Sequence, residues 1–186
     1  TEKRISTVVV GWPSTHRFGD AVFGNIVDQL VEETTELVLV SKLRESLKLT
    51  DRVVCVVPRK SAQSPGFYEA VHVIKNVADE LGVELVFYTD ADTQRRYERL
   101  LDPVSPDTKM SVESPKLGHR LDRRIPDETD KNDLVIVLSP RRHSRGWEPW
   151  LSNFTEVLPQ IEPNNVVIAY LSEHEDIDRR RYLRMT

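Results

Sequence analysis

Four residues near the start of the chain have the types and spacing to hold an anion: Gly11, Ser14, Gly24 and Asn25, in "VVVGWPSTHRFGDAVFGN". A loop that cradles phosphate needs backbone N–H groups turned toward the anion and residues small enough to let it approach. A helix starting behind the loop adds a favourable dipole. A basic pair, Arg59-Lys60, follows the apolar run "RVVCVV" and Pro58, and would supply countercharge to the same ligand. A plainer reading stands beside this one. In it Gly24 and Asn25 start a helix that packs on a strand, and Arg59, Lys60, Arg141 and Arg142 are solvated loop charges.

The other reactive residue types do not converge. His16, His72, His119, His143 and His174 lie far apart, and none has the i, i+4 partner of a metal-binding helix. His72 falls within a helical stretch and reads as packing or surface. Asp127, Glu128 and Asp130 read as a solvated loop cluster, since general acid–base work needs carboxylates facing one pocket. Cys55 sits inside "RVVCVV" and reads as a buried, inert thiol. Trp147 and Trp150 read as core and helix entry. No Ser-Gly-Gly-x-Asp-Ser pyrophosphate loop follows a strand; "VVPRKSAQS" stands in that place. The expectation is a protein that is not an enzyme, with neither catalytic nor metal-binding residues.

The elements that must position these residues alternate. Ile5–Val10 reads as a strand, about Asp20 to Glu33 as an amphipathic helix, and Leu37–Val40 as a strand. Arg52–Val57 is a strand stopped by Pro58, Phe67–Leu81 a helix ended by Gly82, and Val83–Tyr88 a strand. Asp90 or Asp92 is expected to cap a helix reaching about Leu101. Residues 102–132 read as a long loop, with an edge strand in "KMSVES". Leu134–Leu138 reads as a strand, Trp147–Leu158 as a helix, and Val166–Leu171 as the last strand before a charged tail at 173–186. Continuous apolar strands alternating with amphipathic helices predict an α/β three-layer sandwich around a mostly parallel sheet.

With 186 residues the chain suits one compact module, and a net charge of −4 gives no broad cationic field for nucleic acid. No apolar run approaches the roughly 20 residues of a membrane span. The opening "TEKRIS" runs almost at once into a strand, which suggests a piece excised from a longer polypeptide.

The first unit repeats. A shift of 128 positions, without a gap, sets Val8-Val9-Val10 on Ile136-Val137-Leu138, Gly24-Asn25 on Ser152-Asn153, and Val38-Leu39-Val40 on Val166-Val167-Ile168. Any two strand–helix–strand units share some of that pattern, but the aligned Asn and equal lengths suggest duplication. Residues 1–45 would then close a first unit, and 46–172 would form a second, related by a pseudo-twofold axis. Val38–Val40 and Val166–Ile168, as corresponding edge strands, are expected to pair across a twofold axis between protomers of a homodimer.

Gly11, Ser14, Gly24 and Asn25 together resemble the G-x2-G-x9-G-[ST] loop of the universal stress protein family, with Ser14 in place of the second glycine and Asn25 in place of the closing Ser/Thr. The resemblance implies an adenine-nucleotide-hydrolase-like α/β fold and, from the family's ATP binders, an adenine nucleotide as candidate ligand. Those binders carry an acidic residue after their first strand, where this chain has Pro58-Arg59-Lys60. More widely, Gly11, Phe23-Gly24-Asn25, Val57-Pro58-Arg59-Lys60 and Gly66-Phe67 make residues 5–101, and more loosely 133–171, similar to the cytosolic C-terminal region of monovalent cation:proton antiporters. That likeness implies a cytoplasmic regulatory or assembly domain, joined to a membrane transport domain on the same polypeptide. The alternative is a free-standing universal stress protein that binds ATP or AMP.

Overall fold

The computed structural model describes residues 7–12, 21–114, 125–153, 164–174 and 179–184. Along them run β1 (Thr7–Gly11), α1 (Ala21–Glu33), β2 (Leu37–Lys42), β3 (Arg52–Val56), α2 (Phe67–Leu81), β4 (Glu84–Tyr88), α3 (Gln94–Leu101), β5 (Met110–Glu113), β6 (Asp133–Ser139) and β7 (Asn165–Tyr170). The seven strands form one sheet in the order β1-β2-β7-β6-β3-β4-β5. Neighbours are parallel except for β2 and β7, which run antiparallel. The expected three-layer α/β sandwich is the observed one.

The apolar runs become strands because both sheet faces are covered. On one face Phe67, Val71 and Ile74 of α2 and Tyr97 and Leu101 of α3 join Val53, Cys55, Leu85 and Ile136 in a core. On the other, Val27 of α1 joins Val38, Val40, Val54, Val135 and Val137, with Leu30 and Val31 packed against them. Cys55 is fully buried, and burial pushes its thiol well above the ordinary range, so it is inert as expected.

Several expectations need correction. The strands thought free to pair between protomers pair with each other inside one chain. Val40 stands opposite Ile168, flanked by Val38 opposite Tyr170 and Lys42 opposite Val166. The shift that carries Val38 to Val166 carries Lys42 to Tyr170, so these two pairs exchange and the pseudo-twofold axis passes between Val40 and Ile168. The gapless repeat also fails by one residue. Val8 lies beside Val38, and Val135 lies beside Val166. The first strands are therefore related by 127 positions and the closing strands by 128. A one-residue slip turns every side chain to the other face, so burial fixes the register that the sequence left open.

Two helix boundaries differ as well. α3 begins after Thr93, not at Asp90 or Asp92. Residues 90–93 close a turn in which the Thr93 amide and hydroxyl both donate to the Asp90 carbonyl, at 2.9 and 3.0 Å. In place of a helix from Trp147 the chain makes a 3-10 turn over Pro149–Asn153, and residues 154–163 lie outside the described ones.

Candidate functional site

The strand order reverses beside β3: the chain leaves it for β4 on one side and returns through β6 on the other. In open α/β sheets, ligands sit in the crevice beyond the carboxyl ends of the two strands at such a reversal. Here that crevice lies between residues 58–66, after β3, and residues 139–148, after β6.

The predicted site residues do not meet there. Arg59 and Lys60 do, immediately after β3 and both exposed. Gly11 ends β1, which runs opposite to β3 because the β2–β7 pair is antiparallel. Gly11 therefore leads to the other end of the sheet, four strand steps away, or roughly 19 Å at about 4.8 Å per step. Gly24 and Asn25 are the fourth and fifth residues of α1, in the β1 half. Ser14 lies outside the described residues. One ligand bound by Gly11, Ser14, Gly24, Asn25, Arg59 and Lys60 together is thus ruled out by strand direction. Gly11 is exposed, and a Cβ there would touch nothing within 4 Å, so its surroundings set no demand for glycine.

The crevice at Arg59-Lys60 is occupied by the chain's own groups. Arg59 forms an ion pair with Asp92. Glu148 reaches into the crevice from the β6 side. Burial, and Asp90 nearby, raise its carboxyl above the ordinary range, while the Lys60 and Arg59 backbone amides and the Trp150 side chain pull the other way. The carboxyl thus stands near the amides that an anionic ligand would use, and its Oε2 is buried without a hydrogen-bond partner. The two loops also touch closely. A Cβ on Gly146 would overlap Ser64 Oγ and stand 2.9 Å from the Lys60 carbonyl oxygen, and Ser64 and Ser144 hydroxyls lie 3.2 Å apart. From beneath, Tyr97 Oη donates toward the Pro58 and Arg59 carbonyls at 3.0 and 3.1 Å and accepts from the Ala62 amide at 3.2 Å. Burial pushes that phenol up to about 12, so it stays protonated and able to donate.

Arg141 is not the solvated loop charge expected. It is buried, and its guanidinium donates to the carbonyls of Leu171 at 2.7 Å, Glu36 at 2.6 Å and Val31. Val31 lies in the last turn of α1, where carbonyls lack helical partners and cations are favoured. Burial holds the Arg141 pKa below its usual value. Arg142 remains exposed.

His72 is structural: its Nδ1 donates to the Ser105 carbonyl at 2.7 Å and its ring lies tilted against Tyr182, with centroids 5.4 Å apart. Asp130 is exposed, while Glu128 offers its carbonyl to Arg52 and to the Tyr88 hydroxyl. Arg52 is instead held by the buried carboxylate of Asp133 at 2.9 to 3.1 Å. Sequence reasoning missed Asp92, Tyr97, Arg141 and Glu148. A signal existed for one of them: β3 and β6 both end in Pro-Arg-basic, as Pro58-Arg59-Lys60 and Pro140-Arg141-Arg142.

No family model matches the chain, and no curated protein matches it. Among solved structures, a universal stress protein from Archaeoglobus fulgidus DSM 4304 superposes on 90% of the chain with a TM-score of 0.51 at 14% identity. The fold is universal-stress-protein-like. The chain spans 62% of the length of that universal stress protein. At this identity the likeness concerns the fold and goes no further. Among the described residues no helix is long and apolar enough to cross a membrane.

Proposed function

We propose that this universal-stress-protein-like chain is a non-enzymatic regulatory or assembly domain, acting on the cytoplasmic side of a monovalent cation:proton antiporter. The observation that supports a non-catalytic, non-nucleotide role is the filled crevice at the strand reversal. The half-buried Glu148 carboxyl stands near the Arg59 and Lys60 amides, Asp92 holds the Arg59 guanidinium, and Gly146 brings the two loops together. A triphosphate entering there would have to displace a tethered carboxylate and break an ion pair. The antiporter context rests on the resemblance carried by Gly11, Phe23-Gly24-Asn25, Val57–Lys60 and Gly66-Phe67.

Isothermal titration of the purified chain with ATP, AMP and cyclic dinucleotides tests the first part. No saturable heat is expected. Micromolar binding of ATP or AMP would sink this reading in favour of a nucleotide-binding stress protein, and loss of that binding in Gly24→Val would place the ligand at the β1–α1 loop. For the antiporter context, an antibody to the domain should detect a larger polypeptide in the membrane fraction of the source cells. A soluble band at 21.5 kDa would point to the free-standing protein instead.

A further inference from the structure

Among the described residues no strand flanks the outer edge of β1. β1 is the last strand on its side of the sheet, and Val9 is 67% exposed. The pseudo-twofold axis supplies its counterpart: Val9 stands opposite Leu39, as Ile136 of β6 stands opposite Val167. Ile136 is only 3% exposed. Two elements bury it. Strand β3 lies parallel alongside, with Cys55 opposite Ile136. Helix α2 contributes Phe67, Val71 and Ile74 to the same core cluster. Among the described residues the β1 half has no counterpart of either element. Ile26 of α1, 55% exposed, is a second bare apolar side chain in that half.

Edges meant to stay free are short, charged, bulged or broken by proline. β5, the opposite edge, has four residues and ends in Glu113. β1 reads TVVVG, without a charge or a proline. One edge of the sheet is blunted and the other is not.

We propose that β1 accepts a parallel apolar strand followed by an amphipathic helix, a counterpart of β3 and α2, from a polypeptide segment outside these 186 residues. The pseudo-symmetry sets the register: the incoming residues stand opposite Thr7–Val10 as Val53–Val56 stand opposite Leu134–Val137. A second copy fits less well. Two β1 edges meeting about a twofold axis run antiparallel and bring no helix over Val9, and β1 on the β5 edge of another copy builds an open chain of subunits. The matched universal stress protein is longer than this chain, which leaves room for such elements. The proposal does not depend on whether the domain binds a ligand, so it stands or falls separately from the function proposed above.

The probe is a synthetic peptide of residues 51–82 of this chain, with Cys55→Ser and a nitroxide at its N-terminus, added to the full chain. Saturable binding is expected, with exchange of the β1 amides slowed at least about tenfold and resonance broadening stronger at Thr7 than at Gly11. Val9→Asp, which changes an exposed side chain and leaves the remaining exchange pattern intact, should abolish the effect. Unchanged β1 exchange would overturn the proposal. So would broadening strongest at Gly11, which marks an antiparallel arrival. A concentration-dependent dimer of the chain alone, seen by sedimentation and dissolved by Val9→Asp, would assign the edge to a second copy and overturn it equally.

Discussion

Glu148 is the residue on which the character of the crevice turns. Its carboxyl titrates above the ordinary range because burial disfavours the charge, with Asp90 adding repulsion. An acid with a raised folded-state pKa binds more protons folded than unfolded across the window between the two values. Stability therefore falls as pH rises from the ordinary glutamate value, 4.5, through the raised one, above which the penalty is complete. Glu148→Gln keeps a carbonyl oxygen for the Arg59 and Lys60 amides and removes the charge. Its expected effects are a higher melting temperature at pH 7 and a flatter dependence of stability on pH above 4.5, read by thermal unfolding across a pH series. A variant less stable than the parent at pH 7 would mean that the ionised carboxylate holds the loops together, rather than being tolerated there. None of this was legible in the sequence. An acid before a proline in "GWEPW" looks like any surface turn, and burial is a property of the neighbouring loop.

At the scale of elements, the alternation of strands and helices was readable because β3, β4, β6 and β7 are buried on both faces and so must be apolar throughout. α2 was readable to its ends, since Phe67, Ala70, Val71, Ile74 and Ala78 trace one stripe and glycines flank it. Register and direction were not. A run of three valines scores equally well one residue out of step, and nothing in an apolar strand says whether its neighbour runs with it or against it. The second gap separated Gly11 from Arg59 and divided the candidate site. α3 shows how an element can serve a loop two strands away. Its Tyr97 hydroxyl gathers the Pro58 and Arg59 carbonyls and the Ala62 amide, fixing the turn that carries Arg59 and Lys60. Tyr97→Phe keeps the ring against Phe67, whose centroid is 5.9 Å away, and takes the phenol from the Arg59 carbonyl and the Ala62 amide, while the Pro58 carbonyl keeps the Ser61 amide at 3.0 Å. A loss of about 1–3 kcal/mol is expected by urea unfolding, with faster amide exchange confined to residues 58–64. Exchange unchanged in that segment would show that the loop is held from the β6 side alone.

For the molecule as a whole, the question is whether the β1–α1–β2 half and the rest unfold together. Among the described residues, two of the devices that join them cross the centre of the sheet and its end, beside bonds from Asn165 to Arg44 and Glu45 and from Glu173 and His174 to Thr35 and Glu36. One is the β2–β7 ladder centred on Val40 and Ile168, which makes the sheet continuous. The other is Arg141, which leaves the end of β6 and binds Val31 and Glu36 of the first half together with Leu171 of the second. A buried guanidinium shared among three carbonyls satisfies atoms that would otherwise be stranded out of water, and each such bond to a charged group is worth about 1.5–3 kcal/mol. Arg141→Met keeps the aliphatic bulk and removes every donor. Trp12, packed with Val27, Val38 and Val40, reports on the first half once Trp147 and Trp150 are changed to Phe, while far-ultraviolet dichroism reports on the entire chain. With Arg141 present the two signals should fall at one urea concentration. In Arg141→Met the Trp12 signal should fall first, because the half whose outer strand has a bare edge then keeps the ladder and the bonds of Asn165, Glu173 and His174 but loses the buried cation that it shares with the rest. Coincident transitions in that variant, shifted together to lower urea, would show that the ladder and those bonds make the two halves one cooperative unit and that Arg141 adds stability without adding coupling.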